Sequence, residues 1–132
     1  KVKIINNDDD DDDFDPDNIE YLSFEDDIVI PLDTKKSKAG TNYYIPLDIQ
    51  KLGEYDVIVT GSSELGELAQ LPCTLFYTGV PFLTFTFHGT GGKDESIERS
   101  MIFHNRMNVF RLNVAKNGLD LKSIEFKRKE KS

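Results

Sequence analysis

The sequence has no tryptophan, one cysteine and two histidines among its 132 residues. A lone thiol, Cys73, cannot close a disulfide within the chain, so the disulfide framework of many small secreted scaffolds is excluded. It sits in the apolar run "LPCTLFY" (71–77), where a buried cysteine acts as a small hydrophobe. No base stands near it in sequence to activate a catalytic thiol. His88 and His104 lie far apart, with no second His or Cys at zinc spacing, which removes the usual zinc ligand sets. No apolar stretch approaches the about 20 residues needed to cross a bilayer, and no membrane partner is expected. Neither half of the chain holds a dense Lys/Arg field, so no nucleic-acid partner is expected either.

Positive charge is missing from one region altogether. Residues 4–34 hold 13 acidic residues and no Lys or Arg, whereas residues 35–132 hold 14 basic and 11 acidic residues, a balance of +3. The net charge of -8 therefore belongs to an acidic leader in front of a mildly basic body. Within "NNDDDDDDFDPDN" (6–18), a count from Asp9 puts Asp11, Asp13, Asp15, Asp17 and Glu20 at the remaining ligand positions of a calcium loop. Any aspartate run meets alternate positions trivially. Phe14 stands where that loop needs glycine, and no helices flank it. Like charges keep such a segment extended. We expect residues 1–18 to be an acidic linker or N-terminal extension with at most weak calcium attraction, and residues 19–132 to form one domain. A start at Lys1, without an initiator Met or signal peptide, leads us to expect a mature chain or an excised domain.

Strong helical signals are also scarce. The one helix candidate, "SSELGELAQL" (62–71), is interrupted by Gly66 and reads as a loop or single turn. Short alternating runs are abundant instead. They are "IEYLSF", "DIVIPL", "YYIPLDI" (43–49), "YDVIVTG" (55–61), "LPCTLFY" (71–77), "FLTFTFHG" (82–89), "SIERSMIF" (96–103), "NVFRLNVA" (108–115) and "LDLKSIEF" (119–126). In the sixth, Phe85 and Phe87 alternate with Thr84, Thr86 and His88, a period of two. "TGVP" and "KNG" are turn signals, and Pro31, Pro46 and Pro72 mark edges or bulges. The fold class predicted is an all-β antiparallel β-sandwich, or jelly roll, of eight or nine short strands.

Catalytic signatures fail one after another. "HGTGGKD" (88–94) has the Gly-Lys pair of a phosphate loop but lacks its first glycine and carries Asp94 in place of Ser or Thr. "GSSELG" lacks the spacing of a nucleophile elbow. Glu64, Glu67, Asp94 and Glu95 supply loop carboxylates, but a glycosidase needs two at a fixed separation across a cleft. No catalytic residue is assigned.

Three segments bear a family resemblance: "YIPLDIQKLGEYDVIVTGSS", "FHGTGGKDES" and "NVFRLNVAKNGLDLKSIEF". From Gly40 to Phe126 the chain resembles carbohydrate-binding modules of the galactose-binding-like β-sandwich class, of the family-6 and family-35 type. Modules of this kind are appended to bacterial glycoside hydrolases. The resemblance implies a sandwich that binds a polysaccharide or oligosaccharide, with a neighbouring catalytic domain in the same chain and a secreted, periplasmic or cell-surface location. It also implies a tryptophan after the Gly-Gly loop, where Lys93 and Asp94 stand here. The family's asparagine near the last strand falls on Asp120, and a position often used to ligate structural calcium falls on Lys122. What remains to hold a sugar is an aromatic at Tyr43, Tyr44 or Tyr77, with hydrogen bonds from His88, Asn117 and Asp120. The alternatives are a module without a sugar site that braces a neighbouring domain, and a small hydrolase using loop carboxylates.

Overall fold

Residues whose side chains alternate apolar and polar must put one face in a core, and here two such sheets pack face to face. The computed structural model describes residues 3–6, 20–32 and 38–129. They form ten strands: β1 (Lys3–Asn6), β2 (Leu22–Phe24), β3 (Asp27–Pro31), β4 (Thr41–Ile49), β5 (Gly53–Ser62), β6 (Gln70–Tyr77), β7 (Val80–His88), β8 (Glu95–Phe103), β9 (Met107–Val114) and β10 (Asp120–Arg128). One sheet has the order β1-β4-β9-β6-β7, with β2 also on β4; the other has the order β3-β10-β5-β8. The β2–β4 pair is parallel and the other pairs are antiparallel. The nine alternating runs expected from sequence each overlap one of β2–β10, and residues 63–69 form a loop as expected.

The strand absent from that expectation is β1, whose Lys3–Asn6 pair with Tyr44–Thr41. It lies inside the span 1–18 set apart as the acidic leader. The aspartate run and its calcium register, up to Ile19, fall outside the described residues.

Period two is obeyed closely. Tyr55, Val57 and Val59 are buried, as are Phe85 and Phe87, and Phe110, Leu112 and Val114. Proline placement follows from its missing N–H. Pro46 falls on β4 between the stretch paired with β1, which ends at Tyr44, and the stretch paired with β2, which begins at Leu47.

Two bulges break the registers. In β10 the pairing with β5 jumps from Leu121 to Ser123, leaving Lys122 as the extra residue. In the β6–β7 hairpin, Leu75 faces Leu83 but Phe76 faces Pro81, so Phe82 is the extra residue. A bulge re-aims its side chain, and both of these bear on the site. The sandwich has two ends. One gathers the connections 63–69, 89–94 and 115–119. The other, the hairpin end, gathers 50–52, 78–79 and 104–106.

Candidate functional site

At the first end, main chain fills the space. The carbonyl of Ser63 accepts hydrogen bonds from the N–H groups of Thr90 (3.1 Å) and Gly92 (2.8 Å). Gly89 lies so close beneath the 63–69 loop that a Cβ there would stand 2.0 Å from the carbonyl oxygen of Gly66. Only glycine permits that approach. Leu65 covers Gly118, where a Cβ would meet its Cδ1 at 2.8 Å. The bulged Lys122 forms an ion pair with Asp94. No aromatic residue occurs in these three connections.

The hairpin end is open. The β6–β7 turn is tight, with Thr78 and Gly79 both at positive φ (51° and 78°), the geometry of a type I′ hairpin. It delivers Tyr77 and Phe82 to the rim of a cleft of about 470 Å³ between the two sheets. That volume lies within the about 300–1,000 Å³ of small-molecule sites. Phe103 and Phe110 form its floor, and the β8–β9 connection contributes His104 and Asn105.

A run of touching rings backs the rim. Tyr55 meets Phe103 at 4.9 Å between centroids, Phe103 meets Phe110 at 5.6 Å, Phe110 meets Tyr77 at 5.3 Å and Tyr77 meets Phe82 at 6.4 Å. The first three are buried, Tyr77 is half-buried, and Phe82 exposes 46% of its surface. The outermost ring is thus held by a rigid stack rather than left on a loose loop.

Polar groups flank the rings. Asn105 Nδ2 donates to the Tyr77 hydroxyl (3.2 Å), and Asn108 Nδ2 donates to the Asn105 carbonyl (2.6 Å). The Tyr77 oxygen is an acceptor in that bond, so its own proton can point elsewhere. The connection itself is pinned from β4: Arg106 Nε donates to Asp48 Oδ1 (2.5 Å), and the Ile49 N–H donates to the Arg106 carbonyl (2.8 Å). The guanidinium hydrogen bond holds the Asp48 carboxyl below its usual range, against a smaller opposing effect of burial. On the cleft's other border, Glu54 shares the Lys129 ammonium (3.4 Å) with Asp56 (3.5 Å).

Isolated modules with a similar fold are known. A family 35 carbohydrate-binding module from Clostridium thermocellum superposes with a TM-score of 0.59 at 13% identity, over 78% of this chain and 88% of that one. A family 6 module of Cellvibrio mixtus lichenase 5A, solved with cellotriose, gives 0.57 at 16% identity, over 78% of this chain and 98% of that one. The fold is that of the family 6 and family 35 carbohydrate-binding modules. The same fold occurs inside larger enzymes. A β-glucosidase from Paenibacillus barengoltzii contains it with a TM-score of 0.64 at 19% identity, over 80% of this chain and 11% of the enzyme. In sequence, a β-glucosidase of Ruminococcus albus is 34% identical over 128 residues, which cover 96% of this chain and 13% of that protein. No protein-family model matches the chain.

Against this module fold, the residues expected to hold a ligand do not converge. Tyr43 is packed in the core with 1% of its surface exposed. Tyr44 lies on the outer face of the larger sheet, in a cross-strand row with Arg111 and Phe76, and the Arg111 guanidinium sits 3.9 Å over the Phe76 ring. His88, Asn117 and Asp120 are at the closed end. The His88 backbone N–H donates to Glu95 Oε1 (3.2 Å), Asn117 Oδ1 accepts from the Ala39 N–H (2.8 Å), and Asp120 Oδ1 is buried without a protein partner among the described residues. Tyr77 alone reaches the open end, seven residues along β6 from Gln70, the partner of His88, and hence roughly 23 Å away at about 3.3 Å per residue.

A calcium ion does not fit these residues. Lys122, at the family's ligand position, offers an ammonium where a cation needs oxygen, and no group of three or more His, Cys, Asp or Glu that could hold a metal occurs among the described residues. Phe82 and Asn105 escaped the sequence reading. Phe82 did leave a trace: with Leu83 it makes two consecutive apolar residues, a break in the alternation that a bulge explains.

Proposed function

We propose that this chain is a non-catalytic carbohydrate-binding module of a larger, secreted glycan-degrading protein, and that its sugar seat is the cleft at the hairpin end. The observation behind this is the rim pair of half-buried Tyr77 and exposed Phe82, with the Asn105 amide bound to the Tyr77 hydroxyl. An aromatic face stacks on the C–H face of a pyranose while amides take its hydroxyls. The β-glucosidase relatives, in which the matched segment is 13% and 11% of the length, support an accessory place beside a catalytic domain.

Isothermal titration against a panel of soluble glycans tests the reading. Binding should fall at least about tenfold in Phe82→Ala and in Tyr77→Ala, the loss of stacking being about 1.4 kcal/mol or more. A second reading has its own observation. Val80, Ile102 and Met107, each about half exposed, surround the same end and would suit a module that braces a neighbouring domain. Silence across the whole panel would favour it.

A further inference from the structure

The smaller sheet keeps one open edge. Among the described residues, β8 pairs with β5 on one side and with no strand on the other. The opposite edge, β3, is five residues long and ends in Pro31. β8 runs nine residues without a proline, so along its free side alternate residues turn an N–H and a C=O outward. Glu95, Ile97 and Arg99 stand opposite Gly61, Val59 and Val57, on the face of the sheet that elsewhere fills the core. Glu95 accepts the His88 N–H through Oε1, and the Arg99 guanidinium donates to the Glu98 carbonyl (3.0 Å). Arg99 is exposed and has no carboxylate within ion-pair distance among the described residues.

Charges on the inward face of an edge ordinarily keep another strand away. Here their order makes that exclusion selective, because "ESIER" (95–99) complements itself when read in both directions. Let two copies of β8 lie antiparallel with Ile97 against Ile97 of the second copy. Glu95 then faces Arg99 of that copy, and Arg99 faces its Glu95. On the outer face Ser96 meets Glu98 of the second copy, hydroxyl to carboxylate. Since side chains alternate with period two, only registers centred on a residue bring like faces together. The registers on either side of Ile97 are repulsive. Centring on Ser96 sets Arg99 against Lys93 and Glu98 against Asp94, and centring on Glu98 sets that carboxylate against its own copy.

We propose that β8 is a self-pairing edge, through which two copies of this chain join antiparallel about Ile97. Two four-stranded sheets become one continuous sheet of eight. The contact is isologous, so it uses both free β8 edges and stops at the dimer. It is also small, which makes the dimer weak and concentration-dependent. The antiparallel sense sends the two hairpin-end clefts to opposite ends of the dimer.

Sedimentation of the intact chain over a concentration series tests the pairing, and cysteine linking tests the register. The chain should pass from monomer to dimer as its concentration rises. Arg99→Glu and Glu95→Arg should each weaken self-association at least about fivefold, whereas an equimolar mixture of the two should associate, since each copy then meets opposite charges. Across the two-fold, residue 97 lies about 4.5–5.5 Å from its mate between Cα atoms, within disulfide reach. Ile97→Cys should therefore form a linked dimer under mild oxidation. Ser100→Cys should not, because it stands roughly 20 Å from its own copy at about 3.3 Å per residue. The native Cys73 is buried and adds no link. Both cysteine variants keep every charge, so they decide the register even where Glu95→Arg disturbs the bond to His88. A monomer at every concentration, with no link through position 97, would overturn the proposal. Linking through Ser100→Cys as readily as through Ile97→Cys would overturn the register. A mixture of the two charge variants no more associated than either alone would overturn the charge pairing.

Discussion

Tyr55 shows how one side chain can hold an end of the sandwich. Its ring is the buried start of the aromatic stack, and its hydroxyl lies 2.5 Å from the Lys51 carbonyl and 3.1 Å from that of Glu25. It thereby ties the 50–52 turn and the β2–β3 turn to β5, and burial raises the hydroxyl's pKa above the usual tyrosine value. Tyr55→Phe keeps the ring and removes only the bonds. It should lower the unfolding free energy in urea by about 1–2 kcal/mol, with an unchanged m-value. Gly53 and Tyr55 lie within "YIPLDIQKLGEYDVIVTGSS", a segment that bears the family resemblance, but the purpose of the tyrosine is not visible there. Its purpose depends on where two carbonyls distant in sequence are brought, which no periodicity encodes.

At the level of elements, the β8–β9 connection is tied to β4 by the Arg106–Asp48 ion pair and by the Ile49 N–H bond to the Arg106 carbonyl. The Asp48 carboxyl is depressed in the folded protein, so the folded state binds its proton less readily than the unfolded chain does. Its contribution is then present above the unfolded value of about 3.9 and is lost as pH falls below about 4 through the lower folded value. Asp48→Asn should lower the melting temperature at pH 7 and make the acid fall in melting temperature between pH 5 and pH 3 shallower than in the unsubstituted protein. Melting curves across that range check both effects. The strands themselves were legible because burial on one face imposes period two, which β5, β6 and β9 follow most plainly. The bulges at Phe82 and Lys122 were not, since an extra residue is defined by its partner strand. β1 offered no pattern in "KIIN", a four-residue strand that pairs with β4. The candidate site suffered most, because Phe82 comes from a bulge and His104 and Asn105 from a short connection, although Tyr77, Phe103, Asn108 and Phe110 lie on strands.

For the whole molecule, the core can be watched through its one thiol. Cys73 lies on β6 between β7 and β9, fully buried, and burial pushes its pKa far up, so no reactive thiolate is available in the folded state. Thiol labelling should proceed at the rate of unfolding and reach one group per chain only in denaturant. Fast labelling in native buffer would mean that this sheet opens locally. The division of charge, with acid before residue 35 and a mildly basic body after it, was readable at once, whereas the closure of one end and the openness of the other was not. Lastly, the margins of the two sheets are unequal. β7 begins with Val80 and Pro81, so one donor is missing at its tip. A sheet margin with a full ladder of free donors is a template for another chain. The edge that keeps such a run is β8 of the smaller sheet, nine residues without a proline, so edge-to-edge joining of copies would run through β8, where Glu95, Glu98 and Arg99 place charge against it outside the paired register.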